Sequence, residues 1–266
     1  MLEPYATLPM QDAGNGTATL IVLVDFDNLV PPSSGLEPSL VRGELVECLA
    51  KARTGLQSLE QIEVRLYGGW RESGGLLSRR GSEVAAVLSQ INPFPLIDGT
   101  RIVRGRVELG TSLVALPHHH FDETYRRRAS VPRIRASASP HHDGCGDASE
   151  TCPVRMLTRF TRKGSAVCPS EGCTLTARNA FAASEQKMVD TMIACDLLEI
   201  GTRSDRLVCL VSADTDFVPP LIQAASRRPE NVRLVVPRAK WSSELSSFLR
   251  EFGVEVLRLD DSDGSD

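Results

Sequence analysis

Leu20-Ile21-Val22-Leu23-Val24 is apolar at every position and is followed at once by Asp25. A strand with one wet face alternates apolar and polar residues, whereas an unbroken apolar run of this length fits a strand buried on both faces. Such a strand needs a layer of structure above it and another below it. The run is also far shorter than the roughly 20 residues needed to cross a bilayer.

The rest of the chain supplies those layers. Residues 37–54 carry Val41, Leu45 and Leu49 at helical spacing, with Gly55 as a stop. Residues 62–67 read as a second strand, 82–90 as a short helix, and 102–116 as strand interrupted by Gly105 and Gly110. A helix is expected from about Ser184 to Ile200, then a strand at 207–211, a helix at 217–226, a strand at 232–236, a helix at 241–251 and a strand at 254–257. Pro219 and Pro220 fall in a first helical turn, where they are tolerated. Alternation of this kind implies βαβ units, and right-handed crossovers then give a doubly wound, Rossmann-like α/β fold with a mostly parallel sheet.

The expected domain occupies 18–116 and 176–259, with a loose segment at 1–17 and a solvated acidic tail at 260–266. Between the two halves, residues 117–175 lose periodicity and hold five His, four Cys and a cluster of arginines. This is either an inserted Cys/His/Arg-rich module or a partly disordered stretch. The 30 Lys plus Arg and 34 Asp plus Glu leave a net charge of −4, which excludes a globally basic nucleic-acid coat but not a local basic patch. Aromatics are only 5% of residues, too few for broad base-stacking platforms. No Lys or Arg precedes Arg42, so a signal peptide's basic start is missing and a cytoplasmic chain is expected. In that compartment Cys48, Cys195 and Cys209, each within an apolar segment, read as buried small hydrophobes.

Open parallel sheets carry their functional residues just past the carboxyl ends of the strands. Two strands here end in carboxylates, as Val24-Asp25-Phe26-Asp27-Asn28 and as Val211-Ser212-Ala213-Asp214-Thr215-Asp216. Asp190, at the start of the long helix, can reach the same rim if the two strands are neighbours. Two bare carboxylates about 5 Å apart repel by roughly 3 kcal/mol at an effective dielectric near 20. Several together need protonation or a divalent cation, and hard oxygen ligands suit Mg²⁺ or Mn²⁺. Plainer roles stand beside this one. Asp216 can cap the helix that follows, Asp27 can be a loop carboxylate, and Asp196 can be a solvated face residue. Asn28 can stabilise a turn or orient Asp25, and Lys187 can be a helix-surface lysine or meet a phosphate.

Val24-Asp25-Phe26-Asp27-Asn28-Leu29, Lys187-Met188-Val189-Asp190 and Ser212-Ala213-Asp214-Thr215-Asp216-Phe217-Val218-Pro219 resemble, in this order, the three motifs of the NYN domain, a family of PIN-like ribonucleases. The likeness covers about 19–116 and 176–258. It implies a PIN-like fold and a metal-dependent endoribonuclease acting on RNA, single-stranded by preference. Asp25, Asp190, Asp214 and Asp216 would hold Mg²⁺ or Mn²⁺, and Asn28 would support them. Ala213 stands where the family commonly has Gly, and the insertion lies outside the family's core pattern.

The insertion holds Cys168 and Cys173 in a C-x₄-C spacing, with Cys145 and Cys152 upstream. Four such sulfurs can close a tetrahedral zinc site, although free thiols in a flexible segment are the alternative. His118, His119 and His120 read as a solvated run. Arg126, Arg127, Arg128, Arg159, Arg162 and Lys163 can contact phosphates without choosing a sequence. Two other functions fit the same residues. Asp25-x-Asp27 resembles the nucleophile loop of haloacid-dehalogenase phosphatases, although Tyr67-Gly68-Gly69 stands where that family has Ser or Thr. A non-catalytic RNA-binding module with a vestigial acidic rim is the other.

Overall fold

A computed structural model describes residues 18–57, 59–98, 101–129, 131, 153–237 and 241–259. Strand β1 (Ala18–Asp25) runs into a single helical turn, α1 (Phe26–Leu29), and then α2 (Pro38–Ala52), β2 (Leu59–Tyr67), α3 (Arg79–Gln90), β3 (Leu96–Asp98) and β4 (Arg101–Leu109). Three short strands follow, β5 (Ser112–Leu113), β6 (Leu116–His120) and β7 (Tyr125–Ala129). Helix α4 (Pro153–Arg162) and the turn α5 (Ala177–Ala180) precede β8 (Ala182–Gln186). The chain ends with α6 (Val189–Gly201), β9 (Arg206–Val211), α7 (Val218–Ala225), β10 (Val232–Val236), α8 (Ser243–Glu251) and β11 (Glu255–Arg258).

Seven strands form one sheet in the order β11-β10-β9-β1-β2-β4-β3, parallel throughout except for β3 against β4. From β1 the chain steps outward to β2 and β4. It then returns to lay β9 on the other side of β1 and continues to β10 and β11. The direction of winding therefore reverses between β1 and β9, the place where open α/β sheets leave a crevice at their carboxyl ends.

β1 is the innermost strand and is buried on both faces. Leu20, Val22 and Val24 pack with Val41, Leu45 and Leu49 of α2 and Val84 of α3. Ile21 and Leu23 face the other way, among Ile193 and Leu197 of α6, Leu221 of α7 and Leu249 of α8. All five are at most 1% exposed. At roughly 1.5–3 kcal/mol for each buried side chain, this one strand gains as much as the net stability of a typical domain.

Local signals start the helices. Ser78 Oγ accepts from the Gly81 backbone N–H at 3.0 Å and caps α3, and Ser242 Oγ does the same for Leu245 at the head of α8. Pro38 opens α2, where its missing N–H costs nothing. Gly105 is required for close approach. A Cβ there would lie 2.3 Å from the Ile62 carbonyl oxygen and 2.6 Å from the Phe94 ring. Gly105→Ala is expected to cost about 1–3 kcal/mol through overpacking of β4 against β2, read as a lower urea midpoint; an unchanged midpoint contradicts the packing described.

Three expectations need correction. The helix expected from Ser184 begins at Val189, because Ala182–Gln186 pairs antiparallel with Tyr125–Ala129 as a strand. Helix propensity there is a weak preference, and the β7 ladder overrides it. Of the two interruptions expected in the strand over 102–116, the one at Gly110 is present, but Gly105 does not break β4, which runs from Arg101 to Leu109. Cys195 is exposed rather than buried, whereas Cys48 and Cys209 are buried as expected. Residues 1–17 and 260–266 lie outside the described residues. No described helix is long and apolar enough to cross a membrane.

Candidate functional site

The carboxyl ends of β1 and β9 sit side by side, with Val24 opposite Val211. Asp25 is the last residue of β1 and is 6% exposed. Its Oδ2 accepts a short hydrogen bond from Asn28 Nδ2 and another from Ser212 Oγ at 3.2 Å. The turn α1 sets the Asn28 contact, because it returns the side chain three positions later to the end of the strand. Burial pushes the Asp25 carboxyl up to about 6; the bonds from Asn28 and Ser212 pull against this, and the charges of Asp190 and Asp27 add to it.

Ser212 links the two strand ends. Its hydroxyl donates to Asp25 and its oxygen accepts from the Asp214 backbone N–H at 3.1 Å. Asp214 Oδ1 in turn accepts from the Asp216 N–H at 2.9 Å, so Asp214, not Asp216, caps the short 3₁₀ turn Thr215–Phe217 that leads into α7. Asp190 lies in the first turn of α6, exposed at the same rim. Partial desolvation raises its pKa first, and the charges of Asp214 and Asp216 raise it further. Asp190 and Asp216 also line one shallow groove of about 510 Å³ between α6 and α7.

The fold thus gathers Asp25, Asp190, Asp214 and Asp216 at one edge within electrostatic reach of one another. Among the described residues no Lys or Arg forms an ion pair with any of the four. Equally, among the described residues no three His, Cys, Asp or Glu side chains stand close enough, as placed, to hold one metal ion. The donor set is of the hard-oxygen kind that Mg²⁺ and Mn²⁺ prefer, and the carboxylates' uncompensated repulsion is what a divalent ion relieves.

Lys187 is not on a helix surface. It sits between β8 and α6, half-buried, with its backbone N–H bonded to the Thr124 carbonyl at 2.9 Å. The next residue, Met188, has φ 63°, which turns the chain from ribbon into helix. Asp27 is engaged by partners outside the four carboxylates, although its charge is felt at Asp25. It pairs with Arg80 at 2.8 Å and accepts from the Gln186 side-chain amide. These three residues line a cleft of about 890 Å³ that also includes Arg79, Tyr125 and Arg126.

Asp196 is not the solvated residue its sequence setting suggests. It is 1% exposed, accepts from Tyr67 Oη and from the Val114 N–H at 2.7 Å, and stands 3.8 Å from Arg65 Nε. Sequence reading missed this cluster, and Arg80 and Gln186 with it, because their partners are remote in the chain. Ser212 had a signal, since it opens the Ser-x-Asp pattern.

In the insertion, His118, His119 and His120 lie exposed on β6. Arg159, Arg162 and Lys163 are exposed on and just after α4. The side chains of Arg127 and Arg128 lie outside the described residues, as do Cys145 and Cys152. Cys168 and Cys173 are free thiols at intermediate exposure. The Cys168 thiol has a lowered pKa, through bonds from the backbone N–H and the side chain of Ser170 and from Cys173. Comparison of the chain with protein-family models, with curated proteins and with solved structures gave no match.

Proposed function

We propose that this protein is a metal-dependent endoribonuclease of the PIN-like type, hydrolysing RNA phosphodiester bonds at the acidic rim. The observation that carries this reading is the convergence, at the crevice between β1 and β9, of Asp25, Asp190, Asp214 and Asp216 with no described cationic partner, the first two with raised pKa values. Asp25, Asp190, Asp214 and Asp216 would hold Mg²⁺ or Mn²⁺, which lowers the pKa of a water and offsets charge on the phosphoryl oxygens. Asn28 and Ser212 hold the Asp25 carboxylate in one orientation by donating to the same oxygen. The Asp214 bond to the Asp216 N–H fixes the loop that presents both side chains.

Arg126 in the cleft, with Arg159, Arg162 and Lys163 on the surface, would meet the RNA backbone. Lys187, between β8 and α6, would serve the same end near the site. The phosphatase alternative fits less well, because the Asp27 carboxylate it would use for proton transfer is held by Arg80 and Gln186.

The test is cleavage of end-labelled single-stranded RNA with Mn²⁺, with Mg²⁺ and with EDTA. Cleavage is expected only with the ions. Asp214→Asn is expected to lose at least the roughly ten- to hundredfold that even an outer-shell change costs a metal site, with its circular dichroism unchanged. RNA retained but uncut by the wild type in Mn²⁺ would instead support the binding-module reading. Equal cleavage by wild type and Asp214→Asn would remove the proposal.

A further inference from the structure

The cleft beside the acidic rim holds polar groups that the metal chemistry leaves unused. Its volume of about 890 Å³ lies in the range of small-molecule sites. Asp27 forms part of its wall from α1, the same turn that carries Asn28, the partner of Asp25. Gln186, also in the wall, ends β8 just before Lys187 and Asp190. The cleft therefore borders the rim, and the charge of Asp27 reaches Asp25. Four carboxylates line it against three guanidiniums. A channel for the sugar–phosphate backbone carries a surplus of positive charge. Arg126 can meet one phosphate, but the cleft as a whole has no such surplus. An uncharged planar group with donors and acceptors along its edge suits it better.

Arg80 is prepared for such an edge. Its Nε and Nη2 donate to Asp27 Oδ1 at 2.9 and 2.8 Å, and Nη2 also donates to the Val30 carbonyl at 2.9 Å. The guanidinium lies over the ring of Phe26, which is fully buried, at 5.6 Å from the ring centre. Nη1 has no partner among the described residues, and the side chain is 20% exposed. A donor fixed in this way loses little freedom when a ligand arrives. Gln186 supplies the complement. Its amide nitrogen donates to Asp27 Oδ2, so its amide oxygen points elsewhere, with no partner among the described residues. One carboxylate thus holds a donor on one oxygen and an acceptor on the other. Tyr125, directly opposite Gln186 in the β7–β8 ribbon, adds an aromatic wall. Gly69 makes room for both: a Cβ there would lie 3.0 Å from the Tyr125 ring and 3.3 Å from the Gln186 side chain.

We propose that this cleft is a nucleobase subsite, selective for guanine, that seats the base of a nucleotide next to the scissile phosphate. Guanine offers two acceptors, O6 and N7, to the planar fork of Arg80. Its N1–H and N2–H donors meet the Gln186 oxygen and the carboxylates of the wall. Adenine places an amino donor where Arg80 needs an acceptor, and the pyrimidines lack the paired acceptors. The placing of the base beside a cut rests on the nuclease reading; the choice of base does not.

The full-length protein is titrated in EDTA with the 5′-monophosphates of guanosine, adenosine, cytidine and uridine, and binding is read by calorimetry. The guanosine nucleotide is expected to bind at least about tenfold more tightly than the other three. Arg80→Lys keeps the charge but not the fork, and should bring the four affinities to within about twofold. Gly69→Ala pushes the Tyr125 and Gln186 side chains out of place by a separate route, and should weaken guanosine binding likewise. Both variants should keep the wild-type circular dichroism. Equal affinity for the four nucleotides, no binding of any of them, or an unaltered preference in both variants would overturn the proposal. Cleavage of RNA in Mn²⁺ is read in parallel. RNA cut by a protein without base preference removes the subsite and leaves the nuclease reading standing. Guanosine preference in a protein that never cuts RNA supports the subsite and removes the nuclease reading instead.

Discussion

Replacing Asp196 with alanine is expected to destabilise the fold by about 3–5 kcal/mol, the cost of removing one partner from a buried charged cluster. Arg65 is 7% exposed and Asp196 1% exposed, so neither can recruit bulk water. The cluster is extensive. Arg65 donates to Tyr67 Oη at 3.0 Å, to Glu108 at 2.6 Å and to the Ser112 carbonyl at 2.5 Å, while Tyr67 Oη and the Val114 N–H both donate to Asp196. It fastens α6 to β2 and to the segment that follows β4. Alanine leaves the Tyr67 hydroxyl and the Val114 N–H without an acceptor and Arg65 with Glu108 as its remaining carboxylate.

Asp196→Asn keeps one of the two acceptor oxygens and turns the other into an NH₂ donor facing the Tyr67 hydroxyl or the Val114 N–H, so a loss of about 1–3 kcal/mol, below that of alanine, is expected. Differential scanning calorimetry reads both. On the order of 2–4 °C per kcal/mol for a domain of this size, the alanine variant should melt near 10 °C lower. A melting temperature within about 1 °C of wild type would show that the cluster is not closed as described. Since α6 also carries Asp190, the alanine variant should lose rim function together with stability, whereas a rim variant should not lose stability at all.

Asp25→Asn is the contrasting case: it should make the protein more stable. The folded carboxyl titrates near 6 against an ordinary value of 3.8. A raised acid binds its proton more tightly in the folded chain than in the unfolded one. Its favourable contribution is therefore complete below about pH 4 and is lost as the pH rises through about 6. Above that range the buried ionised carboxylate costs roughly 3 kcal/mol, since each pH unit of displacement corresponds to about 1.4 kcal/mol. Asparagine keeps an oxygen for Asn28 and Ser212 without the charge.

Urea unfolding in EDTA should therefore show Asp25→Asn ahead of wild type by up to about 3 kcal/mol at pH 7.5, with the two converging near pH 4. Mn²⁺ should raise the wild-type melting temperature and leave the variant nearly unmoved, because only the former regains energy when the carboxylates are bridged. Equal stability of the two proteins across pH 4–8 would show that Asp25 is not held in a desolvated setting. A site that costs stability in the absence of its ligand is the expected signature of function rather than architecture.

The acidic rim was legible because each of its members follows a local signal. Asp25 ends an unmistakable strand, Asp214 and Asp216 follow another, and Asp190 opens a helix with a clear apolar face. That these strands are neighbours was a condition the sequence left open, and the β1–β9 pairing meets it. Asp196 was not legible. Its position on the helix is compatible with either face, and the decision belongs to Tyr67, 129 positions away. The same holds for Asp27, whose partners Arg80 and Gln186 lie 53 and 159 positions off.

Periodicity and composition, being properties of neighbouring residues, determined from the sequence alone that β1 is buried on both faces, that strands and helices alternate, and that carboxylates stand at strand ends. Tertiary structure alone decided that Ala182–Gln186 is a strand rather than the first turns of a helix, that Asp196 belongs to a buried ionic cluster, and that Asp27 pairs with Arg80. The reason is physical. A backbone segment of weak intrinsic preference adopts whatever ladder its spatial neighbour offers, and a charged side chain is stable in the interior only where the fold brings it a distant partner.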